Sequence, residues 1–519
     1  MTRARMSPPA RVIPTWTEPA VAAASAVIGG PLGRHAVVGR SRFWTPLRVV
    51  LLGSILVLAM GWLGKAPCLQ QTPDGNGGLA LDWQNGRQYV AMCYTDIVTL
   101  YGDHRLAQGG LPYRENWTDP QPDGGSAAVN PHYMDYPVFT GFFLWEMARV
   151  AVRYEAVSAT SSWLPTGLPE VLFFDVTAVF LAIAWLCVVW AVRRLRPVRP
   201  WDAALVALSP LVLVHVFTGL DALAVAASTV ALYAFSRGRS TVAGILLGLG
   251  VAAKLYVVVL LVPLILLGLR RGGSPHRELL PAAVLTWLII NTPVIVFFTP
   301  GWQEFFRVGI GSGAEPDSLY YVVSYFTGWL GFDGTLAPGA VPWRLNLVVL
   351  GLLLAAAVGL FVLVRIAPQP PRLASLCFLA VAAVLVVNKA WSPQFSLWLV
   401  PLAVLALPRW RLLFAWMTAD ALVWVPRMFF YLGTDNKGLP ADYFLAFVLV
   451  RDALIVLIMV EVVRSILRPA DDPVRRLGAD DPEWPEEPAA EEPAPEKSGE
   501  AAPEDSSART EPATKSPAE

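Results

Sequence analysis

The sequence predicts an all-α polytopic membrane protein, a bundle of about twelve transmembrane helices with a large first external loop. Three observations predict it. The composition is 55% hydrophobic and only 15% charged, where soluble domains carry about 25% charged residues. Long apolar runs recur along most of the chain, and the mean hydropathy is +0.50. Arginine clusters separate those runs, as they do in cytoplasmic loops. The formal net charge of zero hides an asymmetry, because a tail from Pro469 onward is crowded with Asp, Glu, Pro and Ala, and the rest is basic.

Residues 1–45 form a basic segment with Arg3, Arg5, Arg11, Arg34, Arg40 and Arg42 ahead of the first apolar run, Pro46–Gly64. It has no cleavable-signal pattern and reads as a cytoplasmic N-terminus followed by a signal-anchor helix. The membrane domain occupies 46–468. A crossing takes roughly 20 apolar residues, fewer within a bundle. The candidates are 46–64, 170–192, 203–219, 220–235, 241–253, 255–269, 279–298, 343–365, 374–388, 395–407, 412–431 and 443–463. Placing Arg193-Arg194-Leu195-Arg196, Arg237-Gly238-Arg239, Arg270-Arg271, Arg365 with Arg372, Arg409 with Arg411, and Arg464 with Arg468 on one cytoplasmic side fixes the path. The chain must then fold back at Gly219-Leu220-Asp221, at Lys254 and at 388–394, and both termini lie inside. Pro137–Val152 is apolar but carries Glu146 and Arg149, with Arg153 next to it. As a crossing it would invert everything downstream, so it reads as a membrane-edge helix within the first external loop.

That loop spans 65–169 and the second external loop 299–342. Long loops in a compact protein usually bind or catalyse. Tyr94–Ala107 has apolar residues at helical spacing and reads as an interfacial amphipathic helix. Cys68 and Cys93 share the first loop and are either a disulfide, if that loop is outside, or two free thiols. Cys187 and Cys377 sit in apolar runs and read as packing residues. The tail, 469–519, cannot bury enough apolar surface to order itself and is expected to be disordered.

This topology sends Asp96, Asp103, His104, His132, Asp135, Asp221, Lys254, Asn388, Lys389 and Gln394 to one face. Ionisable groups at membrane depth are costly and tend to mark function. A carboxylate serves as general base toward a hydroxyl, and cations hold a phosphate leaving group. Each has a blander role: Asp96 caps its helix, Asp103 is solvated, Asp221 pairs with a lysine, and Lys254 and Lys389 snorkel. His104 and His132 lack the close spacing of a metal site, so no metal is expected. No Walker loop, dinucleotide fingerprint or nucleophile elbow stands out, and no nucleic-acid partner is expected.

Several segments carry a resemblance. Tyr94-Thr95-Asp96-Ile97-Val98, then Gly109-Gly110-Leu111-Pro112-Tyr113, resembles the first-loop pattern of GT-C-fold glycosyltransferases. Asp135-Tyr136-Pro137-Val138 looks like their acidic Tyr-Pro entry to the next apolar segment, with Val138 for a more usual Pro. Ala243-Gly244-Ile245-Leu246-Leu247-Gly248 through Lys254-Leu255-Tyr256 is similar to a hairpin of glycosyltransferase family 87, the polyprenyl-phosphate-mannose-dependent mannosyltransferases of actinobacteria. Asn388-Lys389-Ala390-Trp391-Ser392-Pro393-Gln394-Phe395-Ser396-Leu397-Trp398 resembles another of its turns, with Phe395 for the usual Tyr.

Spread over 46–463, the resemblance implies a GT-C-like bundle in the plasma membrane with its active face non-cytoplasmic. It implies a polyprenyl-phosphate sugar donor, no cofactor, and metal-independent inverting transfer of mannose or another hexose or pentose to a cell-envelope glycolipid or glycan. Asp96 would be the general base, and Lys254 and Lys389 would hold the donor phosphate. Asp103, His104, Tyr136, Asp221, Asn388 and Gln394 would contact substrate. The residues leave two other functions open: a flippase of lipid-linked sugars, or a non-catalytic envelope-assembly scaffold that docks proteins through its acidic tail.

Overall fold

The computed structural model describes residues 18–27, 43–74, 78–118, 131–272, 276–337, 339–477 and 481–485. All of them fall within the unit Met1–Pro485. The described residues form helices plus one short antiparallel hairpin, β1 (Gln71–Pro73) with β2 (Leu79–Leu81), which the all-α reading did not contain.

Helix α1 (Pro46–Lys65) starts where Thr45 accepts the Arg48 backbone N–H and Pro46 occupies the first turn. A short helix α2 (Asp96–Asp103) follows, capped by Thr95. Then come α3 (Val138–Ser158) and α4 (Pro169–Leu195). With 27 residues, α4 runs about 40 Å and defines the two ends of the bundle. Its start packs on α2, where the Tyr101 and Phe173 rings lie 5.2 Å apart. Its other end leads to Arg196.

Among the described residues, six helices are long and apolar enough to cross a membrane. They are α1, α4, α5 (His276–Phe297), α6 (Trp343–Ile366), the broken rod of α7 (Trp410–Leu422) with α8 (Trp424–Leu432), and α9 (Ala441–Leu467). Five more apolar helices are shorter: Pro200–His215, Asp221–Ser236, Ser240–Ala253, Leu373–Val387 and Pro393–Ala406. Ser240–Ala253, with 14 residues, extends only about 21 Å. Leu373–Val387 and Pro393–Ala406 pack on each other across the turn at 388–392. The twelve crossings expected from the sequence count these shorter runs as well, whereas length and composition single out six. α3 is not among the six spans, in keeping with its Glu and Arg residues.

Close helix contact explains one motif. Gly244 and Gly248 face α5, where a Cβ would meet the Leu279 carbonyl oxygen at 2.3 Å and the Ala283 carbonyl oxygen at 2.4 Å. Small residues four apart let two backbones meet, which drives packing where lipid supplies no hydrophobic force. This seats Ser240–Ala253, and hence Lys254 at its end, against a long span.

The disordered tail expected from Pro469 needs correction. Residues 469–477 and 481–485 are ordered and lie across the arginine end of the bundle. Glu483 pairs with Arg196 at 2.6 Å, Asp472 with Arg372 at 2.7 Å, and Asp481 with Arg271 at 2.8 Å. Trp484 packs edge-on against Phe235 and lies under the Arg271 guanidinium. The acidic composition that suggested disorder is what binds this segment to buried arginines. Residues 486–519 lie outside the described residues, as do 1–17 and 28–42.

Candidate active site

Cys68 and Cys93 are joined as a disulfide, tying the turn after α1 to the segment that leads into α2. Between them the chain folds back so that Tyr94, Thr95 and Asp96 meet the turn at 217–218. The Asp96 N–H donates to the Thr218 carbonyl at 2.9 Å, and the Thr95 hydroxyl donates to the Phe217 carbonyl at 2.7 Å. Lys65, the last residue of α1, donates to the Tyr94 carbonyl at 2.8 Å and the Thr218 hydroxyl at 3.0 Å. Three separate stretches thereby fix Asp96 at the first position of α2.

Asp96 is half-buried and lines a cavity of about 220 Å³ with Tyr89, Tyr94, Thr218, Gln394, Trp424 and Arg427. Gln394 donates to Asp96 Oδ2 at 3.1 Å. Loss of surrounding water raises the Asp96 pKa, and the Tyr94 hydroxyl, Lys254 and Arg427 pull partly against that rise. A carboxylate so placed accepts a proton more readily than a solvated one. The cavity is smaller than the roughly 300–1,000 Å³ of whole-ligand sites, so it suits one ring-sized part of a larger molecule.

Lys254 comes from the break after Ser240–Ala253, where its extended backbone ends the helix. Its Nζ lies 3.4 Å from Asp221 Oδ1, 4.8 Å from the Phe395 ring centre and 5.9 Å from that of Tyr136. Asp221 also accepts from Trp398 Nε1 at 2.7 Å, and Trp398 is sandwiched between Tyr256 and Phe395. Asp221, expected to contact substrate, is instead buried beneath Lys254 and holds it in place. Tyr136 stands between Lys254 and a second polar pair, His104 Nε2 to Asp135 Oδ1 at 2.8 Å, with the His104 and Tyr136 rings 5.8 Å apart.

The structure thus gathers Asp96, Gln394, Lys254, Asp221, Tyr136 and His104 into one region. It leaves out three residues. Asp103 is exposed in the last turn of α2 and does not line the cavity. Asn388 shapes its own turn, donating to the Ala390 carbonyl and accepting from Lys389 N–H. Lys389, expected on the donor phosphate, has its three N–H donors taken by the Ile310 carbonyl at 3.1 Å, the Ser312 carbonyl at 2.6 Å and Asn346 Oδ1 at 2.6 Å. An ammonium has three donors and no more, so Lys389 is a clamp on the second large loop. Lys389→Met should orphan those acceptors, lower the thermal midpoint and speed proteolysis within 299–342. Unchanged proteolysis would refute the clamp.

Arg427 was missed by the sequence reading. It lines the Asp96 cavity, pairs with Asp317 at 2.9 Å and sits over the Tyr431 ring. Asp317 is held in turn by Arg451 at 3.1 Å. The signal was present, since an arginine within the apolar run 412–431 is a costly group that needs a reason. The aromatic residues Tyr89, Trp424 and Tyr431 gave no such signal, because nothing local distinguishes a cavity-lining ring from a packing one.

No curated protein matches the chain. The family model for glycosyltransferase family 87 matches residues 136–388, which takes in Tyr136, Asp221 and Lys254 but not Asp96, Gln394 or Arg427. That match supports a GT-C-like family 87 glycosyltransferase, and the six long apolar helices indicate a membrane protein.

Proposed function

We propose that this glycosyltransferase moves a sugar, mannose being the first candidate, from a polyprenyl-phosphate donor to a cell-envelope glycolipid or glycan. The observation that carries the reading is a cavity-lining carboxylate, Asp96, bonded to Gln394, with a cation, Lys254, lying against the ring of the next residue, Phe395. Asp96 takes the proton of an acceptor hydroxyl as that oxygen forms its bond to the anomeric carbon. The bond from that carbon to the phosphate oxygen breaks, and the polyprenyl phosphate leaves with the electron pair. Lys254, oriented by Asp221, neutralises the charge gathering on the phosphate. Attack and departure on opposite faces invert the anomeric centre.

In this reading the shorter helices also cross, giving about twelve passes of the plasma membrane. The arginine end and both termini are cytoplasmic, and Asp96 faces the other side.

The test uses purified protein in lipid nanodiscs with radiolabelled polyprenyl-phosphate mannose and a total envelope lipid extract. The reading expects labelled product from this donor and none from a nucleotide sugar. Transfer from the nucleotide sugar alone would overturn the donor assignment.

A further inference from the structure

One wall of the Asp96 cavity is a single face of α8, where Trp424, Arg427 and Tyr431 recur at helical spacing. Arg427 is buried there, and a buried guanidinium is costly unless it is paired. Its partner comes from the second large loop. Asp317, 1% exposed, places Oδ2 2.9 Å from Arg427 Nη1. The same carboxylate accepts from Arg451 Nη1 through Oδ1 at 3.1 Å, and the Asp317 carbonyl accepts from Arg451 Nη2 at 2.8 Å. Arg451 is fixed in turn, donating to Asp452 at 2.9 Å and lying 3.8 Å over the Trp391 ring. Asp317 therefore holds Arg427 from a braced position.

The loop is bound to a second wall as well. The Glu315 N–H donates to the Lys389 carbonyl at 2.8 Å, and the Trp391 N–H donates to the Glu315 side chain at 3.2 Å. That turn runs on into Ser392, Pro393 and Gln394, which line the same cavity. The second loop thus sets the distance between Arg427 and Gln394.

A guanidinium has five N–H donors. Asp317 and, at 3.4 Å, the Tyr431 hydroxyl take up part of that set. The rest can meet ligand oxygens, and the charges around them say which kind. Arg427 and Arg451 bring two positive charges, while Asp317 and Asp452 bring two negative ones. Asp420 adds a carboxylate beside Arg451. Lys65 lies behind the wall, bonded to Tyr94 and Thr218. No excess positive charge faces the cavity, and an anion inside it would meet Asp96. Uncharged hydroxyls fit, and a planar fork suits two neighbouring oxygens. The Tyr89, Trp424 and Tyr431 rings offer flat apolar surface to the carbons of the same ring.

We propose that Arg427 is a specificity-determining residue, its fork donating to two adjacent hydroxyls of an uncharged sugar ring in the Asp96 cavity, and that Asp317 of the second loop positions it. This rests on the transferase reading above and places the ring whose hydroxyl Asp96 deprotonates.

The probes are methyl mannoside and its monodeoxy analogues, given as acceptors to the full chain in nanodiscs with polyprenyl-phosphate mannose. Wild type should reject at least one analogue by about 10–100-fold, the worth of a hydrogen bond to a charged donor. Arg427→Gln should lose that discrimination while the donor KM holds. Arg427→Lys keeps a charge for Asp317 but not the fork. It should lose the discrimination too, and it decides the matter if Arg427→Gln does not fold. A wild type that rejects no analogue, discrimination kept in Arg427→Lys, or inorganic phosphate competing with methyl mannoside overturns the assignment.

Asp317→Asn should lose the same discrimination and, by releasing the charge of Arg427, move the acid limb of activity down in pH. Arg427 favours ionised Asp96, which Tyr94, Lys254 and Asp221 also face. An acid limb that stays in place would leave Asp317 a merely structural residue. In Asp96→Asn, saturating methyl mannoside should still slow amide exchange across 424–431. Such protection without transfer by the wild type would sink the transferase reading and leave the ring site standing. Absence of protection overturns the ring site.

Discussion

Asp96→Asn should leave a folded protein whose sugar transfer has fallen by about 10²–10⁴-fold, the usual contribution of a general base. The substitution is nearly isosteric and keeps the backbone bond to Thr218 that fixes the start of α2, so the thermal midpoint should hold. The pH profile adds a second readout. Burial holds the Asp96 pKa above the ordinary carboxylate value, which is about 4. The carboxylate is the active form, so activity should fall as pH drops through that raised value. Lys254 favours the charged form of Asp96. Lys254→Met should therefore move the acid limb further up in pH, in addition to weakening the donor. A wild-type rate in Asp96→Asn, or an acid limb that ignores Lys254, would assign the base elsewhere.

At the opposite end of the bundle, Glu483→Ala should destabilise the protein by about 3–5 kcal/mol, the cost of leaving a buried charge without its partner. Arg196 and Glu483 are 2% and 0% exposed and 2.6 Å apart. Arg372 reaches the same carboxylate at 3.8 Å. The measurement is the thermal midpoint in nanodiscs. Arg196→Leu with Glu483→Leu should cost less than the two single changes added together, since it removes both charges at once. An unchanged midpoint in Glu483→Ala would show that the segment 481–485 is not bound to the bundle.

Much of the candidate site was legible because its residues break local rules. A lysine where an apolar helix stops and an aspartate before an amphipathic helix are both expensive near a membrane, and a sequence shows such exceptions directly. Their partners were less legible. Asp221 and Lys389 carry the same signal as Lys254, yet one is buried as its orienting group and the other is spent on two carbonyls of a distant loop and the Asn346 side chain in α6. Which role each charge takes depends on what stands within about 3 Å of it, and that is a property of the packed chain. The ordered segment at 469–485 shows the same limit from the other side. Its acidic composition argues for disorder in isolation, and the arginines that order it come from 196, 271 and 372.

By itself the sequence determined the membrane class and the order of the apolar helices. Those follow from hydropathy and charge, which are summed along the chain and need no fold. Tertiary structure alone decided which carboxylate faces a cavity, which lysine is free to meet a ligand, and that Arg427 joins Asp96. The physical reason is that a side chain's chemistry is set by its desolvation and its neighbours, and both come from residues distant in the sequence.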